Sequence, residues 1–206
     1  MHARLTWIKG APQGIQSRRR HFEENALPVM REQPGFQGVV VVGNSETGDG
    51  MVVSYWESEA AMQAAMAVLA PTRERVFAEQ GLQPVLIEHY EVVGEERIAP
   101  SQVGPSCRVL TGSGLTGDNA TSLWEEGKAL VSSQSGFCSV RYCLNRENGN
   151  FFIGSSWDSD DDRDASMAVM AGLRDRMTDE LGVTGLEVNN YELWLAEVPA
   201  TSTATT

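Results

Sequence analysis

The sequence predicts an α+β fold of two tandem ferredoxin-like repeats, each with the order β-α-β-β-α-β. Three observations predict it. The first is a self-match: Trp56 and Trp157 lie 101 positions apart, in the related stretches Met51-Val52-Val53-Ser54-Tyr55-Trp56-Glu57-Ser58 and Phe152-Ile153-Gly154-Ser155-Ser156-Trp157-Asp158-Ser159. At the same offset Gly35-Phe36 meets Gly136-Phe137, Asn44 meets Asn145, Met66-Ala67-Val68 meets Met167-Ala168-Val169, and Tyr90-Glu91 meets Tyr191-Glu192. A match this long in one register marks two copies of one unit. The second observation is that strand and helix periodicities follow in the same succession in both copies. The third is the strand pattern. Val39-Val40-Val41-Val42 and Met51-Val52-Val53 are apolar on both faces. Helices cover one face of such a sheet, and the other copy's sheet covers the second, giving two sheets face to face around a shared interior.

Each element has a local reason. Residues 3–8 alternate Ala3, Leu5, Trp7 against Arg4, Thr6, Ile8, a strand. Residues 15–32 carry Ile15, Arg19, Phe22, Ala26, Val29 and Met30 near helical spacing. Pro28 is set to kink the last turns, and Pro34-Gly35 stops them. Residues 36–42 and 51–56 are strands, joined through the turn chemistry of 44–50. Ser58 caps the next helix, with Glu59 in its first turn. That helix is expected to run to about residue 69, with a second segment from Pro71 to the stop at Gly81. Residues 85–93 are the fourth strand. The first domain then spans 1–94 and a linker 95–106, rich in Gly and Pro. The second domain, 107–198, repeats the order: strand 107–111, helix 119–133, hairpin 137–144 and 150–157, helix 159–181 with Gly172 in the place of Pro71, and strand 186–197. Residues 199–206 read as a disordered tail.

Composition bounds the function. The net charge of −12 argues against nucleic acid and against an anionic membrane surface as partners. No apolar run approaches the ~20 residues of a membrane span. The start enters a strand pattern at once, so no signal peptide is expected. The three cysteines, Cys107, Cys138 and Cys143, are odd in number, which argues against a disulfide framework and for a cytoplasmic protein.

At this point the residues resemble a known family. His21-Phe22-Glu23-Glu24-Asn25 with Pro34-Gly35-Phe36, then Tyr55-Trp56-Glu57-Ser58-Glu59 and Tyr90-Glu91-Val92, look like the antibiotic biosynthesis monooxygenase (ABM) domain of the dimeric α+β barrel superfamily. The first copy is closer to it than the second. The resemblance implies that a barrel usually built by two chains is built here by one, an intrachain pseudo-dimer; a homodimer of that unit stays open. It also implies a pocket between helices and sheet lined by Trp56, and by Trp157 in the second copy, for a flat aromatic ligand or a porphyrin. The plainer reading of both tryptophans is core filling at the sheet edge.

The family's chemistry transfers only in part. Haem-degrading members carry a histidine ten residues past the tryptophan, and here those positions are Met66 and Met167. Tight haem binding is therefore not expected. Cofactor-free, quinone-forming members carry an Asn four residues before the tryptophan, and here those positions are Val52 and Ile153. They also use an Arg on the second helical segment, where Arg73, Arg75, Arg174 and Arg176 stand. Arg73 or Arg75 is thus a candidate to stabilise a phenolate, His21 or His89 to accept a proton, and Tyr55 or Tyr90 to hydrogen-bond an oxygen. The plainer reading of the arginines is a solvated helix face paired with Glu74, Glu79 or Asp175.

Other signals fail. Gly112-Ser113-Gly114-Leu115-Thr116-Gly117 has dinucleotide-loop spacing but lacks the acidic residue about 20 positions on. Asp158 to Asp162 lacks the Gly and Glu of a calcium loop. Cys138 and Cys143 fall on opposite faces of one strand and form no metal pair. No cofactor and no metal are expected.

The sequence thus reads first as a cofactor-independent monooxygenase acting on an aromatic or polyketide-like small molecule. The alternatives are a non-catalytic small-molecule or haem binding module, and a structural pseudo-dimer with a filled pocket. Because the histidines and Tyr55 have no counterparts in the second copy, one working site is expected, in the first half, on Trp56 with Arg73 or Arg75.

Overall fold

A computed structural model describes residues 1–99 and 104–198. In chain order its first half holds β1 (His2–Lys9), α1 (Ile15–His21), a π turn (Phe22–Ala26), α2 (Leu27–Arg31), β2 (Phe36–Gly43), β3 (Gly50–Trp56), α3 (Glu59–Gln80) and β4 (Gln83–Arg97). The second half holds β5 (Gly104–Ser113), α4 (Gly117–Ser132), β6 (Phe137–Leu144), β7 (Phe151–Trp157), α5 (Asp160–Val169), α6 (Ala171–Asp179) and β8 (Thr184–Glu197). Both β-α-β-β-α-β successions are present.

The expected shared interior is closed more tightly than two stacked sheets would be. The order β1-β3-β2-β8-β5-β7-β6-β4 forms one antiparallel barrel. Each half contributes four strands, in the ferredoxin-like order β4-β1-β3-β2 and β8-β5-β7-β6. The halves join where β2 pairs with β8 and β4 with β6. These two reciprocal seams leave the barrel no open edge strand. They also explain why β2 and β3 are apolar on both faces. Ala3, Leu5, Met51, Val53, Tyr55, Tyr90, Val109 and Phe152 pack inside the barrel. The other face of each half-sheet lies under its own helices.

The repeat recurs in atomic detail. Phe36 meets Trp56 edge-on at 5.5 Å, and Phe137 meets Trp157 at 5.6 Å. The Trp56 indole donates to Ser54 Oγ at 3.0 Å, and Trp157 donates to Ser155 Oγ at 3.1 Å. Asn44 and Asn145 close their hairpin turns in the same way, each side-chain oxygen accepting two backbone N–H groups. Ser58 and Ser159 cap α3 and α5 through the N–H of Ala61 and Asp162.

Three local expectations are corrected. β4 continues to Arg97 because its second half pairs with β6, and β5 begins at Gly104, so both ends of the expected linker are strand. Residues 100–103 and the tail 199–206 lie outside the described residues. The helix break sits in the other copy. α3 runs unbroken through Pro71, with Met62 and Ala65 buried before it and Val76 after it. That packing outweighs the ~3 kcal/mol cost of an interior proline. The second copy breaks instead between α5 and α6, at Met170 with φ −83 and ψ −2, two residues before Gly172. In the first helical region the chain does not simply kink at Pro28. Leu27 N–H bonds to Phe22 O in a π turn just before Pro28 takes an early position of α2.

Candidate functional site

The helix-facing core of the second half is one continuous cluster that includes Leu123, Trp124, Tyr142, Trp157 and Leu173. That of the first half is split in two, around Leu27, Met30 and Val39 and around Trp56, Met62 and Ala65. Between α1–α3 and the outer face of β1, β3 and β2 lies a cavity of about 130 Å³. Ile8, Phe22, Met30, Val52, Leu69, Val76 and Phe77 give it apolar walls. Alternation along β1 puts Arg4, Thr6 and Ile8 on this face and Ala3, Leu5 and Trp7 inside the barrel.

One wall comes from the other half. The β2–β8 seam pairs Val42 with Leu193 and brings Trp194 into the cavity lining. Gly43 makes room for it: a Cβ there would lie 2.1 Å from the Trp194 ring. Single copies of the repeat therefore do not complete this cavity.

The polar lining is cationic. Arg4, Arg18, Arg19 and Arg73 line the cavity with Thr6, Ser54, Thr72 and Gln80, and no Asp or Glu stands among the described lining residues. This occurs in a chain with 28 acidic and 16 basic residues. Arg18 is tied to backbone, donating to Gln13 O at 2.8 Å and to Ala11 O. Arg19 donates to Trp194 O at 2.9 Å. Arg4 Nε and Nη2 and Arg73 Nη1 are buried without a hydrogen-bond partner, as is the remaining Nε of Arg19. Burial first, then the Arg73 charge, depress the Arg4 guanidinium to about 10.

The second copy shows what these positions do when satisfied. Ala3 pairs with Tyr55 and Tyr90, and Cys107 pairs with Ser156 and Tyr191, so Arg108 is the counterpart of Arg4. Arg108 donates from Nε to Asn190 at 3.1 Å, from Nη1 to Arg163 O at 2.8 Å and Ser166 Oγ at 2.9 Å, and from Nη2 to Asp164 at 3.1 Å. The corresponding first-copy positions are His89, Met62, Ala65 and Gln63, none of which carries a carboxylate. Arg174, the counterpart of Arg73, donates to Met167 O at 2.8 Å, the carbonyl freed where α5 ends. The unbroken α3 frees no such carbonyl for Arg73. Arg108 and Arg174 line a smaller cavity of about 90 Å³ with Trp157, Trp124 and Lys128.

Of the residues singled out from sequence, the structure brings Arg73 to the larger cavity. Trp56 does not line it: at 1 % exposure it packs in a cluster with Phe36, Met62 and Ala65, and it meets the lining through Ser54 and the Leu69 packed against that cluster. Arg75 lies on the exposed helix face, 3.9 Å from Glu79. His21 is outside the lining, with Nε2 3.3 Å from Glu79 and Nδ1 3.4 Å from the Asn25 amide. His89 stands directly across the β1–β4 pair from Arg4. Burial first and then Arg4 lower its pKa, partly offset by Glu59.

Tyr55 and Tyr90 occupy the opposite face of the sheet, inside the barrel. Arg141 stacks 4.0 Å above the Tyr55 ring and bonds Glu95 at 2.6 Å, and burial pushes the Tyr55 hydroxyl up to about 12. Tyr90 donates to Glu88 at 2.6 Å. Period-two alternation sets these directions: Val52 and Ser54 face the cavity, so Val53 and Tyr55 face inward. Cys138 bonds Asp158, whereas Cys143 is in the barrel core. Sequence reasoning missed Arg4 and Trp194. The available signals were an arginine on the helix-facing side of β1 and a tryptophan where the first copy has Val93.

Residues 1–67 match the sequence profile of the antibiotic biosynthesis monooxygenase family. Two uncharacterized proteins of Mycobacterium tuberculosis (strain H37Rv), Rv2557 and Rv2558, are 25 % and 26 % identical over 96 % of this chain and 89 % and 85 % of their own. Among solved structures, a candidate monooxygenase of Fusobacterium nucleatum superposes with a TM-score of 0.72 at 12 % identity, over 97 % of this chain and 94 % of that one. An anthrone oxidase-like protein does so with 0.64 at 14 %, over 100 % and 96 %. A heme-degrading enzyme of Listeria monocytogenes gives 0.54 at 12 %, over 93 % and 99 %. These likenesses show the fold, two ferredoxin-like repeats in one chain, and the family match is confined to residues 1–67. No helix among the described residues is long and apolar enough to cross a membrane.

Proposed function

We propose that the first-half cavity, as the ligand pocket of an ABM-type domain, binds a hydroxylated aromatic small molecule and supports its cofactor-independent oxygenation. The observation that carries this reading is an apolar cavity of about 130 Å³ in which the charged groups among the described lining residues are all arginines. That volume approaches the ~150 Å³ of a cavity that takes benzene, so one ring fits inside and a second reaches the mouth. The walls hold the ring and exclude water. A phenol becomes able to reduce O₂ once it is a phenolate, and cationic donors around the cavity lower the cost of that ionisation. Arg73 is the stabilising cation. The phenol proton leaves to solvent at the cavity mouth, because His89, neutral beside Arg4, is not among the described lining residues.

For a naphthol the reaction balances without a reductant: the naphthol and O₂ give the naphthoquinone and water, with one oxygen atom entering the ring. The test is oxygen uptake with 1-naphthol in the presence of EDTA. Uptake equimolar with quinone, lost in Arg73→Met at unchanged Tm, is the expected result. Absence of both binding and turnover overturns the proposal. A second reading, binding without turnover, is favoured by Val52, which lines the cavity where quinone-forming family members carry an amide. It predicts 1-naphthol binding with no oxygen uptake.

A further inference from the structure

Resting on that reading of the cavity, we infer that its ligand is an aromatic carboxylate, taken up by the guanidinium fork of Arg4 beside Arg73. Nε and Nη2 form the edge of a guanidinium that grips both oxygens of a carboxylate. In Arg4 these are the two buried nitrogens without a partner. Arg73, in the same cavity lining, adds a further unpartnered donor, Nη1. Two half-buried cations that line one cavity, with no acid among the described lining residues, repel each other until an anion arrives.

The duplication supplies an internal precedent for the anion's chemistry. The same edge of Arg108 is filled, Nη2 by the carboxylate of Asp164 and Nε by the side-chain oxygen of Asn190. Gln63 and His89 stand at those positions in the first half. The second half thus carries its carboxylate in its own chain, and the first half receives one with the ligand. The Arg4 fork is shut off from water as well as from protein acceptors, so it turns toward the cavity as the ligand enters. The carboxylate sits on Arg4 with the aromatic body against Phe22, Leu69 and Phe77.

The experiment compares 2-naphthoate with methyl 2-naphthoate, equal in ring and unequal in charge, by isothermal titration of the intact chain at pH 7.5 and low salt. The wild type binds the acid about 10- to 100-fold more tightly than the ester, the range for hydrogen bonds to a charged group. Arg4→Gln brings the ratio of acid to ester affinity to about one. Arg4→Lys, which keeps the charge and lacks the fork, weakens the acid but still prefers it. Arg108→Gln lowers Tm and leaves the preference intact. Equal affinity of the wild type for acid and ester overturns the inference while the aromatic site stands. Binding of neither probe overturns both. A preference that survives Arg4→Gln and disappears in Arg108→Gln places the carboxylate in the wrong half and also overturns it.

Discussion

The same substitution at two equivalent positions has opposite consequences. Arg4→Met stabilises the ligand-free protein and Arg108→Met destabilises it. Burial on folding depresses the Arg4 guanidinium from the ordinary arginine value to about 10. Taken at face value, such a shift costs about 3 kcal/mol. Arg4 is only partly buried, and solvent screening reduces this to about 1–2 kcal/mol. The sign follows from proton linkage. A base whose pKa is depressed by folding binds fewer protons when folded than when unfolded between those two values. Its penalty is therefore fully present below about pH 10 and fades as pH rises from there toward the ordinary arginine value. At pH 7 the Arg4→Met variant escapes all of it. For a chain of 206 residues that raises Tm by about 2–8 °C.

Arg108→Met has the reverse effect. It strips partners from Asn190, Arg163 O, Ser166 and Asp164. Asp164 and Asn190 are exposed and rehydrate, and Ser166 Oγ still donates to Arg163 O at 2.6 Å, so the loss is about 1–2 kcal/mol and Tm falls by about 2–8 °C. Paired calorimetric melts at pH 7 measure both. A fall in Tm at Arg4→Met equal to that at Arg108→Met would refute the claim that the first-half arginine is uncompensated.

Three other outcomes are expected. Gly43→Ala drives a methyl group into the Trp194 ring, so aromatic affinity falls and the indole fluorescence shifts, with a stability loss of about 1–3 kcal/mol by urea denaturation. Trp56→Ala costs about 3–5 kcal/mol and affects 1-naphthol affinity only indirectly, through Ser54 and Leu69, whereas Trp157→Ala opens the second-half cavity and leaves 1-naphthol affinity unchanged. Haemin titration gives no saturable Soret shift at low micromolar haem; such a shift, lost in a His21 or His89 variant, would contradict the reading of Met66 and Met167.

The fold was legible because the repeat is written in residues that must recur. Trp56 and Trp157 need the same serine two positions back, Asn44 and Asn145 the same turn, and Phe36 and Phe137 the same edge contact. The site was less legible for three physical reasons. Arg4 sits in a strand whose alternation reads as solvent-facing, and only the helices show that this face is covered. At the 101-residue offset it falls against Pro105 instead of Arg108, because β5 is shifted relative to the rest of the repeat. Trp194 reaches the first half through the β2–β8 seam, a contact between distant residues that no local pattern encodes. Tyr55 and Tyr90 were misplaced by proximity in sequence: neighbours on a strand face opposite sides.

The central claim is that the first-half cavity, closed by Trp194, is the ligand site. The chain has five tryptophans, and only Trp194 lines that cavity, whereas Trp124 and Trp157 line the second-half cavity. Indole N–H resonances, assigned by single Trp→Phe substitutions, are followed by NMR during titration with 2-naphthoate. The account predicts a saturable shift of the Trp194 resonance with Trp124 and Trp157 unmoved. Saturable movement of Trp124 and Trp157 with Trp194 stationary would contradict it.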